Sequence, residues 1–412
     1  MLRKIIVGVF LLIAGGIVAQ EGTTSPYSFY GIGILKFRGT AENRAMGGIG
    51  VFSDSIHLNL QNPASYAGLK LINYSLGASL ENTDQKNTTE SQHFTSTSLD
   101  YLAMGIPMGK FGMGFGILPY TSVGYNFLSK NENGMTEYSG DGGLNRAFLS
   151  LAYQITPELS IGVDGNYNFG KIKNTATSQQ KDLDYATQTY NSAELYGFHF
   201  KFGALYKKMI TERLEISGSV TYAPGTNLNS DNFRKISTVS IMPTGIYTID
   251  GRDIDVPSST FDFPSEFTLG VGLSKPKYWG VGVEYSLQET SDFTNTSALA
   301  ENATFKSASK IKMGGFYIPS YNSFGNYAKR MVYRAGFRYE ETGLRLEGHD
   351  INEFGISFGV GLPVGRLFSN FNLGFEIGKR GTTDYGLIQE NFFKTFLSFS
   401  LNDRWFEKRL YD

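Results

Sequence analysis

The sequence contains no cysteine, only two tryptophans and four histidines in 412 residues, and after residue 20 no apolar run long enough for a membrane helix. Without cysteine there can be neither a disulfide framework nor a lipid-anchored mature N-terminus. Without a long apolar run, the chain can cross a bilayer only as a closed β-barrel. Charge is sparse too: 18% of residues are charged, and 37 basic against 38 acidic side chains leave a net charge of -1. No overall field draws in nucleic acid, which is therefore not an expected partner. His57, His93, His199 and His349 are scattered, with no two at metal-ligand spacing, so no metal and no cofactor are expected. No serine or threonine stands in a recognisable nucleophile setting; catalytic residues are not expected and the chain is not read as an enzyme.

What is present points to strands and export. The 49 glycines, 25 tyrosines and 32 phenylalanines within a 41% apolar composition favour an all-β protein. Residues 1–20 read as a secretory signal peptide: Arg3 and Lys4, an apolar stretch from Ile5 to Val18, then Ala19, with cleavage after Ala19 or Gln20. Two classes remain, a secreted soluble sandwich and an outer-membrane barrel.

Alternation separates them. Leu159, Ile161, Val163, Tyr167 and Phe169 interleave with Ser160, Gly162, Asp164, Asn166 and Asn168. The same split sets Trp279, Val281, Val283, Tyr285 and Leu287 against Gly280, Gly282, Glu284, Ser286 and Gln288, and Phe371, Leu373, Phe375 and Ile377 against Asn370, Asn372, Gly374 and Glu376. One face suits hydrocarbon and the other water, in segments of roughly 10 to 16 residues, long enough for a tilted span. Tyr278, Trp279, Tyr327, Tyr333, Tyr339, Phe392 and Phe393 gather near strand ends, where rings favour the headgroup interface. Short turns near 107–110, 156–158, 208–211, 274–277 and 363–366 alternate with long polar loops near 83–92, 129–138, 173–192, 241–263, 291–305, 341–350 and 380–390. The pattern predicts a transmembrane antiparallel β-barrel of about fourteen strands over 69–402, with twelve to sixteen open. Ser320 to Arg330 is an awkwardly long periplasmic link, and Ile236 to Ile249 reads either as strand and loop or as an extra external hairpin. Residues 403–412, with Trp405 and Phe406, form a periplasmic C-terminal tail that either follows an insertion signal at Phe399 to Leu401 or docks on a partner.

Residues 21–68 do not alternate and are rich in glycine, which suits an irregular plug in the lumen, since non-strand backbone at membrane depth must be buried by protein. Within it, Arg44-Ala45-Met46-Gly47-Gly48-Ile49-Gly50-Val51, then Asp54-Ser55, Asn59 and Asn62-Pro63-Ala64-Ser65, resemble the N-terminal hatch of the FadL-type (OmpP1-like) long-chain fatty-acid transporters. The motif spans about 25 residues just before the first strand, while the layout of plug and barrel covers the mature chain. Pro63 fixes its own φ and pushes Asn62 to extended backbone, so Asn62 either locks the exit from the plug or touches a ligand. In the third strand, Leu118, Pro119 and Tyr120 interrupt a clean alternation, and proline cannot donate to a ladder. A rim bulge is one reading; the resemblance implies the other, an inward kink that opens the wall sideways.

Asp164, His199, Lys201, Glu284, Arg334, Arg338, Glu376 and Lys394 fall on the inward phase. They form either a salt-bridged lining or, through Lys201, Glu284, Arg334, Arg338 or Glu376, a site for a charged headgroup. The resemblance implies passive uptake of a hydrophobic small molecule across the bacterial outer membrane, with membrane lipid as surroundings. Its alternative is a barrel subunit or shuttle of an outer-membrane secretion or assembly complex, as in the type IX secretion shuttle. A pocket of Phe, Leu and Met would indicate the first; a lumen filled with polar side chains, the second.

Overall fold

The computed structural model describes residues 22–291, 303–323, 325–364 and 369–404. Residues 1–20, read from the sequence as a signal peptide, Trp405, Phe406 and most of the expected tail, and much of the 291–305 loop lie outside them. Fourteen wall strands form one antiparallel barrel. They are β1 (Ile72–Lys86), β2 (Ser91–Met108), β3 (Phe111–Pro119 and Thr121–Asn131), β4 (Gly134–Gln154), β5 (Leu159–Gln180), β6 (Ala186–Met209) and β7 (Glu215–Ala223 and Thr226–Met242). There follow β8 (Gly245–Ile254, Ser259–Phe263 and Glu266–Lys275), β9 (Trp279–Gln288), β10 (Ala303–Phe305 and Ala308–Tyr317), β11 (Val332–Leu346), β12 (His349–Val364), β13 (Ser369–Arg380) and β14 (Gln389–Asp403). Each pairs with its sequence neighbour, and β14 returns to β1 along Ile72↔Asp403 to Lys86↔Gln389, so the ring closes.

Inside and outside are inverted relative to a soluble protein. Phe198, Phe200 and Phe202 on β6 are 66%, 53% and 51% exposed, while Ser217, Asn168, Glu376 and Ser398 are among the most buried side chains. Such a surface is stable only in hydrocarbon, which makes this an outer-membrane barrel. Phe392 departs from the expected aromatic belt: it is 4% exposed and faces inward, its ring 5.9 Å from the Arg338 guanidinium.

The strands outrun the membrane. The outward apolar row stops at Phe169 on β5 and at Tyr222 on β7, yet β5 has 22 residues and β6 has 24. Much of what reads as long loop is paired strand: Gly134–Tyr138 with Ala176–Gln180, and Ala186–Asn191 with Arg234–Val239. Alternation fails there because water wets both faces, and a strand with two wet faces has no apolar period. Residues 234–254 form the external hairpin, Arg234↔Ile254 to Met242↔Gly245. The long periplasmic link carries a single 3-10 turn, Tyr327–Arg330.

Candidate functional site

The N-terminal segment meets the inward face of the wall from end to end. At the outer end, Phe29 packs edge-on against Tyr125, Phe127 and Tyr138 at 5.2, 5.5 and 5.9 Å, and Ile32 is buried with Tyr120, Val123, Leu144, Leu195 and Leu228. Each aromatic pair of this geometry contributes about 0.5–1.5 kcal/mol beyond its buried area. Ile34 and Leu35 pair with Ser122 and Thr121 as a short inner strand. This pairing follows from the break in β3. Pro119 interrupts the strand, Tyr120 still donates its N–H to Leu144 at 2.7 Å, and the Tyr120 carbonyl accepts the Lys36 N–H at 2.9 Å. The Tyr120 ring lies under the Arg146 guanidinium, 4.2 Å from its centroid. The lower part of β3 pairs with β2 from Met108↔Phe111 to Leu102↔Ile117; among the described residues no ladder joins Ser91–Tyr101 to Thr121–Asn131. The wall is thus unpaired there in its outer half.

At mid-depth the segment is held by ions. Thr40 and Asn43 close a capping box on the one-turn helix Ala41–Arg44, which aims Arg44 at the wall. Arg44 Nε donates to Glu376 at 2.9 Å; Glu376 also accepts from Arg338 Nε at 2.6 Å; Arg338 binds Glu353; Arg380 binds Glu353 at 2.5 Å and Glu390 at 3.0 Å. Three arginines and three glutamates alternate in this series, and each of its six charges has an opposite neighbour, as burial requires. On the far side Arg38 grips Glu266 with two bonds of 2.6 and 2.9 Å, and Glu284 accepts from Lys312 and, at 2.8 Å, from the Gly50 amide. Lys394 pairs with Glu81 at 2.6 Å.

Gly47 shows why its position requires glycine. Its φ is +69°, and a Cβ there would lie 2.6 Å from the Phe337 carbonyl oxygen and 2.7 Å from that of Met313. The wall reciprocates, since a Cβ on Gly336 would lie 2.1 Å from the Gly47 nitrogen. Segment and wall approach backbone to backbone.

Near the periplasmic end, Asn62 takes a structural role: Oδ1 accepts the Ala64 N–H at 3.0 Å, and Nδ2 donates to the Ala204 carbonyl at 3.0 Å and Ser219 Oγ at 2.9 Å. Asp54 accepts the N–H groups of Ile56 and His57 at 2.9 and 2.7 Å, and its other oxygen meets His57 Nδ1 at 2.6 Å. His57 Nε2 lies 2.8 Å from the Asn370 amide. Desolvation opposes both charges, though weakly at Asp54, whose side chain is 54% exposed, and mutual attraction outweighs it, holding the Asp54 carboxyl below the usual carboxylate range and the His57 imidazole above its ordinary value. The depressed Asp54 adds stability above about pH 4 that is lost as pH falls through its folded value. The raised His57 adds stability that is complete below about pH 6.5 and fades as pH rises through its folded value. Amide exchange over residues 53–58, corrected for intrinsic rate, is therefore expected to be slowest between about pH 4 and 6.5 and to quicken toward pH 8.5. Asp54→Asn abolishes that pH dependence; an unchanged profile in the variant would refute the latch.

Between segment and wall lies a cavity of about 210 Å³. Its lining includes Lys36, Arg38, Arg44, Lys201, Glu266, Glu284, Lys312, Arg338, Glu353 and Glu376, together with the apolar Ile34, Leu35, Phe37, Leu344 and Ile351. Of the residues expected in the lumen, Lys201, Glu284, Arg338, Glu376 and Lys394 border this space. Arg334 does not border it and donates to Asn372 Oδ1 at 3.1 Å. His199 and Asp164 are buried on the inner wall, His199 against Asn168 at 3.1 Å. Sequence reasoning missed Arg38, Glu266, Glu353, Arg380 and Glu390. Glu353 shares the inward phase of Gly355, Ser357 and Gly359, a signal that was available; Arg380 and Glu390 were read as loop.

The barrel has the same fold as several outer-membrane proteins of known structure. The *Pseudomonas putida* protein described as the toluene transporter TodX superposes with a TM-score of 0.61 at 15% identity, over 90% of this chain and 100% of that one. The *Ralstonia pickettii* protein described as the toluene transporter TbuX gives 0.59 at 15% identity, over 89% and 99%. A *Pseudomonas aeruginosa* FadL homologue gives 0.58 at 11% identity, over 90% and 98%. No curated protein matches the sequence significantly. At these identities the likeness establishes the FadL-type fold, and the family comes from the sequence itself: residues 1–412 match the family described as BamG throughout, so the chain belongs to the BamG family.

Proposed function

We propose that this chain is a plugged, non-conducting barrel that serves as a subunit of a larger outer-membrane protein assembly. The observation that carries this reading is the character of the lumen. A route for a greasy solute needs an apolar path, and here the interior is crossed by alternating buried charges that tie the N-terminal segment to opposite sides of the wall. The aromatic contacts that could have received an apolar guest at the outer end are occupied by Phe29 and Ile32 of the chain itself. The test joins planar-bilayer recording of the purified protein with gentle purification from its own membrane. The expected result is no conductance steps and stoichiometric partner proteins; steps together with an absence of partners would overturn it.

A second reading is favoured by one observation, the unpaired outer half of the β2–β3 wall. In it, a hydrophobic compound such as a fatty acid, or an aromatic hydrocarbon such as the toluene for which TodX and TbuX are described as transporters, enters from outside, passes the segment and leaves sideways beside Pro119 and Tyr120 into lipid. Saturable binding of palmitate or toluene to the purified barrel, lost when Tyr120→Ala opens the break, would support it.

A further inference from the structure

The outer hairpin offers an edge that none of the described strands of the barrel pairs with. Gly245–Ile254 pairs with Arg234–Met242 on one side, and among the described residues has no second partner. Its backbone donors and acceptors on the other side form a template for another strand. Every residue from 241 to 253 is exposed, including Ile241 at 50%, Met242 at 51%, Ile246 at 45%, Tyr247 at 49% and Ile249 at 58%. Leu183 and Tyr185, on the neighbouring β5–β6 turn, are 56% and 53% exposed. Apolar side chains gathered in this way mark an interaction surface.

Bilayer lipid is not the occupant. The apolar belt of β7 ends at Tyr222, and the continuing strand carries the hairpin tip on the order of 40 Å above it at ordinary strand rise and tilt. A second copy fits poorly as well. Two copies in one membrane are related by an axis along the membrane normal, so edges that tilt from that normal cross instead of lying side by side, and each edge meets a copy with its own net negative charge. Only Arg252 offsets the three carboxylates of Asp250, Asp253 and Asp255 along residues 245–255, and like charges brought together across an interface destabilise it. What complements the edge is a different chain with the opposite charge.

We propose that an extracellular partner protein adds a β-strand to Gly245–Ile254, its apolar residues resting on Ile246 and Ile249 and its lysines or arginines facing Asp250, Asp253 and Asp255. This rests on the reading of the barrel as an assembly subunit and names the site and chemistry of one contact. Backbone pairing supplies affinity in such a joint, and the alternate side chains and charges supply specificity.

The experiment purifies the full chain gently from its own outer membrane as wild type, as Asp250→Lys/Asp253→Lys/Asp255→Lys, and as Ile249→Pro, with a photo-crosslinker at position 247 in each. Unchanged heat-modifiability on gels confirms that the barrel is folded in both variants. The expected result is one partner lost at least ten-fold in both variants, with the others retained, and a wild-type crosslink mapping to a basic, strand-forming segment of the lost partner. A partner set unchanged in both variants overturns the edge while leaving the assembly reading intact. A crosslink to lipid or to a second copy also overturns the edge. A wild type that purifies alone overturns the assembly reading and this proposal with it.

Discussion

Replacing Glu376 with glutamine is expected to lower the stability of the folded barrel by about 3–5 kcal/mol, the usual cost of removing one partner from a buried ion pair. Glu376 is 1% exposed and accepts from both Arg44 and Arg338, which lie on separate parts of the chain. Glutamine keeps the volume and removes the charge, so two guanidiniums lose their shared carboxylate without a cavity to blur the cause. Among the described residues the carboxylate left to Arg44 is Asp100, at 3.9 Å, and Arg338 keeps Glu353 and, at 3.5 Å, Glu340. The measurement is the heat-modifiability midpoint on gels or the denaturant midpoint in detergent. Glu81→Gln is the control, because its pair with Lys394 is simple and more open, at 20% and 13% side-chain exposure; a smaller loss is expected there. Equal loss in the two variants would show that the three-arginine chain holds nothing special in place.

Gly336→Val is expected to unseat the N-terminal segment and turn a silent barrel into a conducting one. The added Cβ would fall 2.1 Å from the Gly47 nitrogen and 2.1 Å from the Met46 carbonyl carbon, both backbone atoms that cannot swing aside. Valine suits a strand, so the ladder through Gly336↔Ser357 and Gly314↔Gly336 has no local reason to fail. Gly112→Leu repeats the test near the periplasmic end, where a Cβ would lie 2.0 Å from the Tyr66 carbonyl oxygen. In planar bilayers both variants should show steps like those of a barrel lacking residues 22–60, and wild type none. Silent bilayers with both variants would mean that the lumen stays shut without close seating of the segment.

The wall was legible wherever lipid touches one face only. From Leu159 to Phe169, and from Trp279 to Leu287, alternation located β5 and β9 because hydrocarbon demands one answer at every second residue. It failed above the membrane: Thr136 and Ser178 are partnered wall residues joined by a 3.1 Å hydrogen bond, yet polar neighbours on both faces made them read as loop. The irregularity of the segment was legible from its lack of alternation and from glycines such as Gly47 and Gly48. The segment's partners were not, because pairing Arg44 with Glu376 links positions 332 residues apart, and no local pattern encodes such a distance. The inward phase identified Arg338 and Glu376 as lumen charges without saying that they meet. Arg334 shares that phase and meets an amide instead, so phase gives direction and leaves partnership to the fold.

The direction in which the N-terminal segment runs constrains how the molecule can be made. Gly22 lies beside Ser122 at the outer end, where a Cβ on it would be 2.5 Å from Ser122 Oγ, and the chain descends to Leu69 before β1 begins. The first part of the described chain to be synthesised therefore ends up innermost, while the last wall strand made, β14, fastens onto the first, β1. If the cylinder zipped shut while empty, nearly the whole leader would have to be threaded afterwards through a narrowing bore. Biogenesis is simplest when the nascent head is held within an open, C-shaped sheet and the final seam closes around it, so that insertion into the membrane and packing of the interior become a single event.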